Sequence, residues 1–309
     1  QDFEETVKFG VVASTKNNQV DYSKVKNNTK PWANQPYQTI SYVSAHDNLT
    51  LWDKLQTTNK NATTEELLSM NKMAAAIVYT SQGIPFMQAG EEFARTKLNP
   101  DGTFNENSYN APDSVNQIDW TRKVEYNDLF QYYKGLITLR KSHKAFRMNS
   151  TTDIQNNLNF LDVADKNVVA YTLNGTAVGD NYNKIAVIYN ANNSDVEVTL
   201  PSNDWVILVN GEKAGIESLG SIEGNVVKVK ANSSYVLVDK DSYLKEGNEE
   251  NPDIKDNEEQ DEDTGVLGSS DISEETKTSD NNNLLAYASL LVLASVSLVV
   301  LKIKSRKNN

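Results

Sequence analysis

Apolar and polar positions change rhythm three times along this chain. "TISYVSA", residues 39–45, is rich in β-branched and aromatic residues and predicts a strand. "TTEELLSMNKMAAAIVYTSQ", residues 63–82, places Leu67, Met70, Ala74, Ile77 and Val78 on one face at helical spacing. Thr63 and Glu66 form a capping-box pattern at its start, and Gly83 follows as a stop. "IPFMQAG", residues 84–90, predicts a second short buried strand. A long polar loop then leads to a second helix over 127–142, with Phe130, Tyr133, Ile137 and Leu139 on its apolar face. Strand, helix, strand, helix favours parallel βα units. Two such units cannot close a barrel or bury both faces of a sheet, so residues 1–149 are expected to belong to something larger.

From 150 to 240 the rhythm shortens. "NFLDVAD", "VVAYTL", "KIAVIYNA", "VEVTL", "WVILVN", "VVKVK" and "SYVLVD" are separated by turns such as "LNGT" and "VNGEK". Seven or so short strands at this spacing predict an antiparallel β-sandwich.

The third change is abrupt. Residues 241–283 have too few large apolar side chains to offset chain entropy and predict a disordered, self-repelling acidic linker. Residues 284–301, "LLAYASLLVLASVSLVVL", then run eighteen positions without a charge, about the length that spans a hydrocarbon core. Lys302, Lys304, Arg306 and Lys307 follow within the last stretch, 302–309, and the positive-inside rule assigns that end to the cytoplasm. The rest of the chain is then expected outside the cell, held by a membrane helix.

Charge changes this picture little. The net charge is −12, and the fifteen acidic residues against three lysines between Asp241 and Asp280 account for all of it. The remainder is close to neutral and lacks the basic surface that nucleic acid needs. There is no cysteine, hence no disulfide frame and no thiolate metal site.

The chain has two histidines, and one of them, His46, sits beside Asp47 where strand 39–45 runs out, with Asn48 continuing the polar patch. Such a group can be a satisfied polar pair. At the end of a βα strand it can also face an active site. Ser-His-Asp catalysis fits poorly: there is no G-x-S-x-G elbow, and neighbours on a strand point to opposite faces. Glycoside hydrolysis suits the Asp better, because a carboxylate stabilises an oxocarbenium-like transition state.

"YVSAHDNLTLWDKL" resembles the fourth signature region of the alpha-amylase superfamily, glycoside hydrolase family 13, in the form found in type I pullulanases. "MAAAIVYTSQGIPFMQAGEEFARTK", "NSYNAPDSVNQIDWTRK" and "YYKGLITLRKSHKAFRM" continue the likeness in collinear order, over roughly residues 5–240. The resemblance implies an α/β fold: the C-terminal portion of a TIM (β/α)8 barrel, about its last two βα units, followed by an all-β sandwich. It implies a retaining hydrolase of α-1,6-glucosidic linkages in pullulan, amylopectin and limit dextrins. Asp47 matches the family's transition-state-stabilising carboxylate, and His46 matches a residue that binds sugar in the −1 subsite. The nucleophile and general-acid motifs, Arg-x-Asp and Glu-Gly-Trp, do not occur here. The chain alone is therefore expected to be inactive, the C-terminal part of something longer, with the N-terminal part of the barrel required.

In the same reading Asn107 and Tyr109, in "NSYN", lie on the loop after the second strand and are candidates for substrate binding, as is Asn48. Arg95 could reach sugar or pair with Glu91 or Glu92. Asp113 and Asp119 suit loop capping, Trp52 suits helix packing, Trp32 a structural role, and His143 a helix-end dipole partner. No EF-hand pattern appears, so calcium, possible in this family, has no identifiable ligand and no cofactor or metal residue is assigned. The tail resembles a Gram-positive cell-wall sorting signal, although within 275–279 only Thr278 matches the sortase pentapeptide. Membrane retention at the cell surface is expected rather than covalent wall attachment. A non-catalytic surface α-glucan-binding protein with a barrel remnant is the alternative.

Overall fold

The computed structural model describes residues 2–202 and 204–247. The linker beyond 247, the apolar stretch 284–301, the sorting-signal-like residues and the basic tail lie outside them. No helix among the described residues is long and apolar enough to cross a membrane.

The first part is helical. After α1 (Glu4–Val11), a two-residue strand β1 (Ile40–Ser41) leads through α2 (Leu51–Thr58) and α3 (Thr64–Thr80) into β2 (Ile84–Pro85). The capping box expected at α3 is present: Glu66 N–H donates to Thr63 Oγ1 at 3.2 Å, and Thr63 N–H donates to Glu66 Oε2 at 2.8 Å. Gly83 turns the chain into β2 with φ +88°, where an added Cβ would sit 2.6 Å from Thr39 Oγ1. β1 and β2 pair in parallel, Ile40 opposite Ile84.

Both strands are much shorter than the expected 39–45 and 84–90. They are not buried either: Ile40 is 60% exposed, and Tyr42, Ile84 and Phe86 also face outward. A strand persists only where a neighbour supplies ladder bonds. Here the pair has one partner each, and Pro85 has no N–H to give.

Short helices α4 (Asp113–Asn116) and α5 (Arg122–Glu125) precede α6 (Asn127–Ser142). The buried stripe of α6 is Leu129, Tyr132, Tyr133, Leu136, Leu139 and Arg140, whereas Phe130 and Ile137 are only half-buried. The expected stripe was rotated because it left out Arg140. This guanidinium is buried and caps the end of α3, donating to Tyr79 O (2.9 Å), Ser81 O (2.6 Å) and Gly83 O (2.7 Å). Burial lowers its pKa to about 10. The same stripe shift appears on α3, where Asn71, Ala75, Ala76 and Tyr79 are buried while Met70, Ala74 and Ile77 are half-buried.

A helix α7 (Thr151–Asn157), not expected, opens the second part. The strands are β3 (Leu158–Phe160), β4 (Val168–Asn174), β5 (Lys184–Asn190), β6 (Val196–Thr199), β7 (Trp205–Val209), β8 (Ser221–Ile222), β9 (Val226–Val229) and β10 (Ser233–Asp239). Six form one antiparallel sheet in the order β3-β4-β5-β10-β7-β8, and β6 pairs with β9 separately. The six-stranded sheet is covered twice. Tyr171, Val187, Tyr189 and Val236 on one face pack into the core with α3 and α6, while Ala170, Ile188, Trp205 and Leu237 on the other pack against the β6/β9 ribbon. This is why β4, β5 and β10 read as continuous apolar runs, while β6 and β9 alternate.

His143 stands at the C-terminal end of α6, and its side chain has partners of its own. It is buried, its Nδ1 lies 3.0 Å from Asp180 Oδ1, and its ring stacks on Tyr182 at 4.5 Å. Burial alone would raise the Asp180 pKa, but His143 and the N–H groups of Ala145 and Tyr182 outweigh it and hold the carboxyl below its usual range. At the expected start of the linker, α8 (Lys240–Lys245) folds back instead, because Tyr243 is buried and its hydroxyl accepts the N–H of Ser218 at 2.9 Å.

Candidate functional site

The segment after β1 descends into the protein and comes out again. Ser44 is buried and its hydroxyl donates to Glu91 Oε2. His46, Asp47 and Asn48 are exposed. Asn48 takes a left-handed conformation, φ +64°, which Asn tolerates better than most residues. Its N–H donates to Asp47 Oδ1 at 3.1 Å. Thr50 then caps α2 by accepting the N–H of Asp53 at 3.1 Å. The three candidate residues thus occupy a short arch between a strand end and a capped helix.

The second candidate loop is anchored in the same place. Lys97 is buried, and its ammonium donates to the His46 carbonyl at 3.1 Å and to Ser108 Oγ at 2.6 Å. The structure therefore brings the 46–48 arch next to the 107–109 loop. Asn107 is exposed, and Tyr109 is 83% exposed, so its ring is free to meet a ligand rather than packed over the loop base. Asn116 holds this loop from behind, its Nδ2 donating to Ser108 O (2.7 Å) and Ala111 O (3.1 Å).

Among the described residues Arg95 pairs with neither Glu91 nor Glu92 nor any other carboxylate; its guanidinium donates to Ala89 O at 3.0 Å and Asn116 O at 2.5 Å. It braces the loop from below. Trp52 is buried and packs on Tyr126 with ring centroids 5.5 Å apart. Asp119 caps its loop, accepting from Thr121 N–H (3.0 Å) and Oγ1 (2.6 Å), whereas Asp113 simply opens α4. Trp32, expected to be structural, is 56% exposed. Among the described residues no cluster of three or more His, Asp or Glu side chains could hold a metal.

Three polar residues build the site's floor: Asp53 and Lys97, which pattern reasoning passed over, and Glu91, which it named only as a partner for Arg95. Asp53 is fully buried: its Oδ1 accepts from Thr96 Oγ1 at 2.5 Å and its Oδ2 from Lys97 N–H at 2.8 Å. Glu91 is buried as well, accepting from Ser44 and from Tyr133 at 3.2 Å. Burial pushes its pKa up to about 7; the Ser44 and Tyr133 bonds oppose this, and the nearby Glu92 adds to it. Lys97 is the third. In the sequence, "LWDKL", "GEEFARTK" and the surrounding polar loop look like a solvated face, and Thr50 with Asp53 signals a helix cap and no more.

Residues 154–213 match the family model for the pullulanase all-beta domain. Pullulanase of Bacillus subtilis (strain 168) is 39% identical over 173 residues, covering 56% of this chain and 23% of that protein. The solved type I pullulanase of Bacillus subtilis str. 168 complexed with maltose superposes with a TM-score of 0.68 at 32% identity, over 77% of this chain and 31% of that one. Pullulanase of Paenibacillus barengoltzii in complex with maltohexaose and alpha-cyclodextrin gives 0.66 at 38% identity, over 78% and 34%. The chain thus spans about a quarter to a third of the length of these relatives. By sequence and by fold, the chain is similar to part of the type I pullulanases.

Proposed function

We propose that this chain supplies part of the active site of a debranching glycoside hydrolase that cleaves α-1,6-glucosidic linkages in α-glucans. The observation that carries the reading is the convergence of the His46-Asp47-Asn48 arch and the Asn107-Tyr109 loop on one buried lysine. The two neighbouring segments carry an exposed carboxylate, an imidazole, two amides and an open aromatic ring. Sugar recognition uses this mixture: polar groups for hydroxyls and a ring for the apolar face of the pyranose. That relatives bind maltose and maltohexaose supports an α-glucan as the ligand here.

The roles follow from the chemistry. Asp47, as a carboxylate, would stabilise the positive charge that develops on the ring as the glycosidic bond breaks. His46 would donate to a sugar hydroxyl, a bond that strengthens as the ring distorts. A retaining reaction also needs a nucleophile and a general acid about 5–5.5 Å apart. We assign neither to this chain. Both would come from barrel strands preceding β1, and the parallel pair β1–β2 with α2 and α3 between would be the last two βα units of that barrel. The chain by itself would then be inactive.

Reducing-end release from pullulan tests this. The chain alone should release none, and the product of a longer reading frame that includes it should. In that longer product Asp47→Asn should lower kcat by about 10²–10³-fold, the scale of losing one transition-state electrostatic contact. Full activity of the Asn variant would overturn the role of Asp47. An inactive longer product that still binds maltohexaose would favour the non-catalytic glucan-binding reading, which the exposed Tyr109 and Trp120 rings also suit. Surface anchoring through 284–301 rests on the sequence pattern, and detergent-dependent extraction from a membrane fraction would support it.

A further inference from the structure

We infer that Lys97 is a positioning residue that locks the two loops of the candidate site to each other and to the start of α2. The inference deepens the glucan reading above and takes its substrate from it. The geometry stands on its own. Lys97 is 3% exposed, and it takes part in none of the ion pairs among the described residues. Burying an ammonium is costly unless its hydrogen bonds are made. Here they go to two segments sixty-two positions apart in the chain, the His46 carbonyl and the Ser108 hydroxyl.

The root of the side chain is fixed as firmly as its tip. Lys97 N–H donates to Asp53 Oδ2 at 2.8 Å, and Lys97 O accepts the N–H of Asn105 at 2.8 Å. Asp53 stands in the first turn of α2, which Thr50 caps three residues after Asp47. The arch from His46 to Thr50 is therefore held at both ends, by the lysine tip and by the helix that holds the lysine root. The second loop hangs from the same ammonium. Small displacements of such loops matter, because productive geometry in a site tolerates shifts well below 1 Å. An apolar side chain of equal length would leave the His46 carbonyl and the Ser108 hydroxyl without this donor. An arginine would keep the charge and could span both.

The ionisable groups facing the ammonium are Arg95, Asp53 and Asp47; burial first and Arg95 second lower the Lys97 pKa, while the two aspartates oppose them.

The test uses the chain itself and three variants, Lys97→Met, Lys97→Arg and Ser108→Ala, read by amide NMR and hydrogen exchange. In Lys97→Met, exchange should rise at least tenfold at both 46–48 and 107–109, with α6 protection unchanged. Lys97→Arg should restore both loops, and Ser108→Ala should free 107–109 alone. In the unmodified chain, amides of both loops should follow one alkaline titration with a midpoint below that of an ordinary lysine; in Lys97→Met that titration should vanish. In Lys97→Met a change at one loop only, or in the unmodified chain separate titrations of the two loops, overturns the inference. If Lys97→Met fails to fold, the Arg and Ala variants and the titration still decide. Maltohexaose added to the unmodified chain separates this inference from the glucan reading. Intact coupling with no sugar-induced shift at Asp47 or Tyr109 would count against the glucan reading while leaving the lock in place. Where the sugar binds, Lys97→Met should weaken it about tenfold and Lys97→Arg should recover it.

Discussion

The six-stranded sheet and the β1–β2 pair are made of similar residues and end in opposite conditions. In the sheet, "VVAYTL" and "IAVIYN" are covered on both faces, by α3 and α6 on one side and by the β6/β9 ribbon on the other. In the pair, "TISY" and "IPF" expose Ile40, Tyr42, Ile84 and Phe86. Tyr42 and Phe86 meet edge to face with centroids 6.0 Å apart. β-propensity is thus no statement about burial. What decides is whether the rest of the chain supplies a second layer and a ladder partner. The candidate site grows out of the uncovered region, and its order comes from polar groups beneath it rather than from apolar packing.

Substitutions can probe the contrast. The largest effect is expected on the covered side. Trp205→Ala removes a fully buried indole and should cost about 3–5 kcal/mol in urea unfolding. Arg140→Met should cost at least about 3 kcal/mol, since three carbonyls at the α3–β2 corner lose a charged donor. A loss under about 1 kcal/mol at either position would show that the described packing is not what holds the sheet to the helices.

Glu91 sharpens the comparison from beneath the site. Its folded pKa is raised to about 7 from 4.5. The folded state therefore binds the proton more tightly than the unfolded one, and the associated stability is complete below about pH 4.5 and lost as pH rises through about 7. The slope between those values should amount to at most about 3 kcal/mol and should disappear in Glu91→Gln. Urea titrations at several pH values would read it, and a slope unchanged in the Gln variant would sink the assignment. On the covered side the sign reverses. The Asp180 pKa is depressed, so its contribution is present above the unfolded carboxyl pKa and is lost as pH falls through the folded value. Asp180→Asn should flatten the acid limb and cost about 1–3 kcal/mol near neutrality.

The smallest effect is expected at the exposed pair. Tyr42→Ser should change stability by no more than about 0.5 kcal/mol, as for surface positions in general. A loss of several kcal/mol there would mean that the edge is already covered in solution.

Much of this was legible in the order of residues. The α3 capping box, the helix at 127–142, the βα order and the run of short strands all follow from local chemistry. So do His46, Asp47, Asn48, Asn107 and Tyr109 as exposed polar candidates, because a strand end and a polar loop mark them without any knowledge of contacts. Resemblance to the pullulanases rests on the same linear motifs. Arg140 and His143 show what local pattern withholds. Each stands near a helix end, and each is buried against groups distant in sequence: Arg140 against carbonyls fifty-seven to sixty-one residues away, His143 against Asp180 thirty-seven residues away.

Sequence by itself therefore determined α3, α6, the run of short strands and which side chains bear chemistry, since capping, periodicity and motif are properties of neighbours along the chain. Only the tertiary structure decided that Lys97, Asp53, Glu91 and Ser44 lie buried beneath two loops, and that one lysine serves both. A buried polar group survives only if its partners are in place. Those partners, His46 and Ser108 for the ammonium and Asp53 for its root, are assembled by the fold from separate parts of the chain.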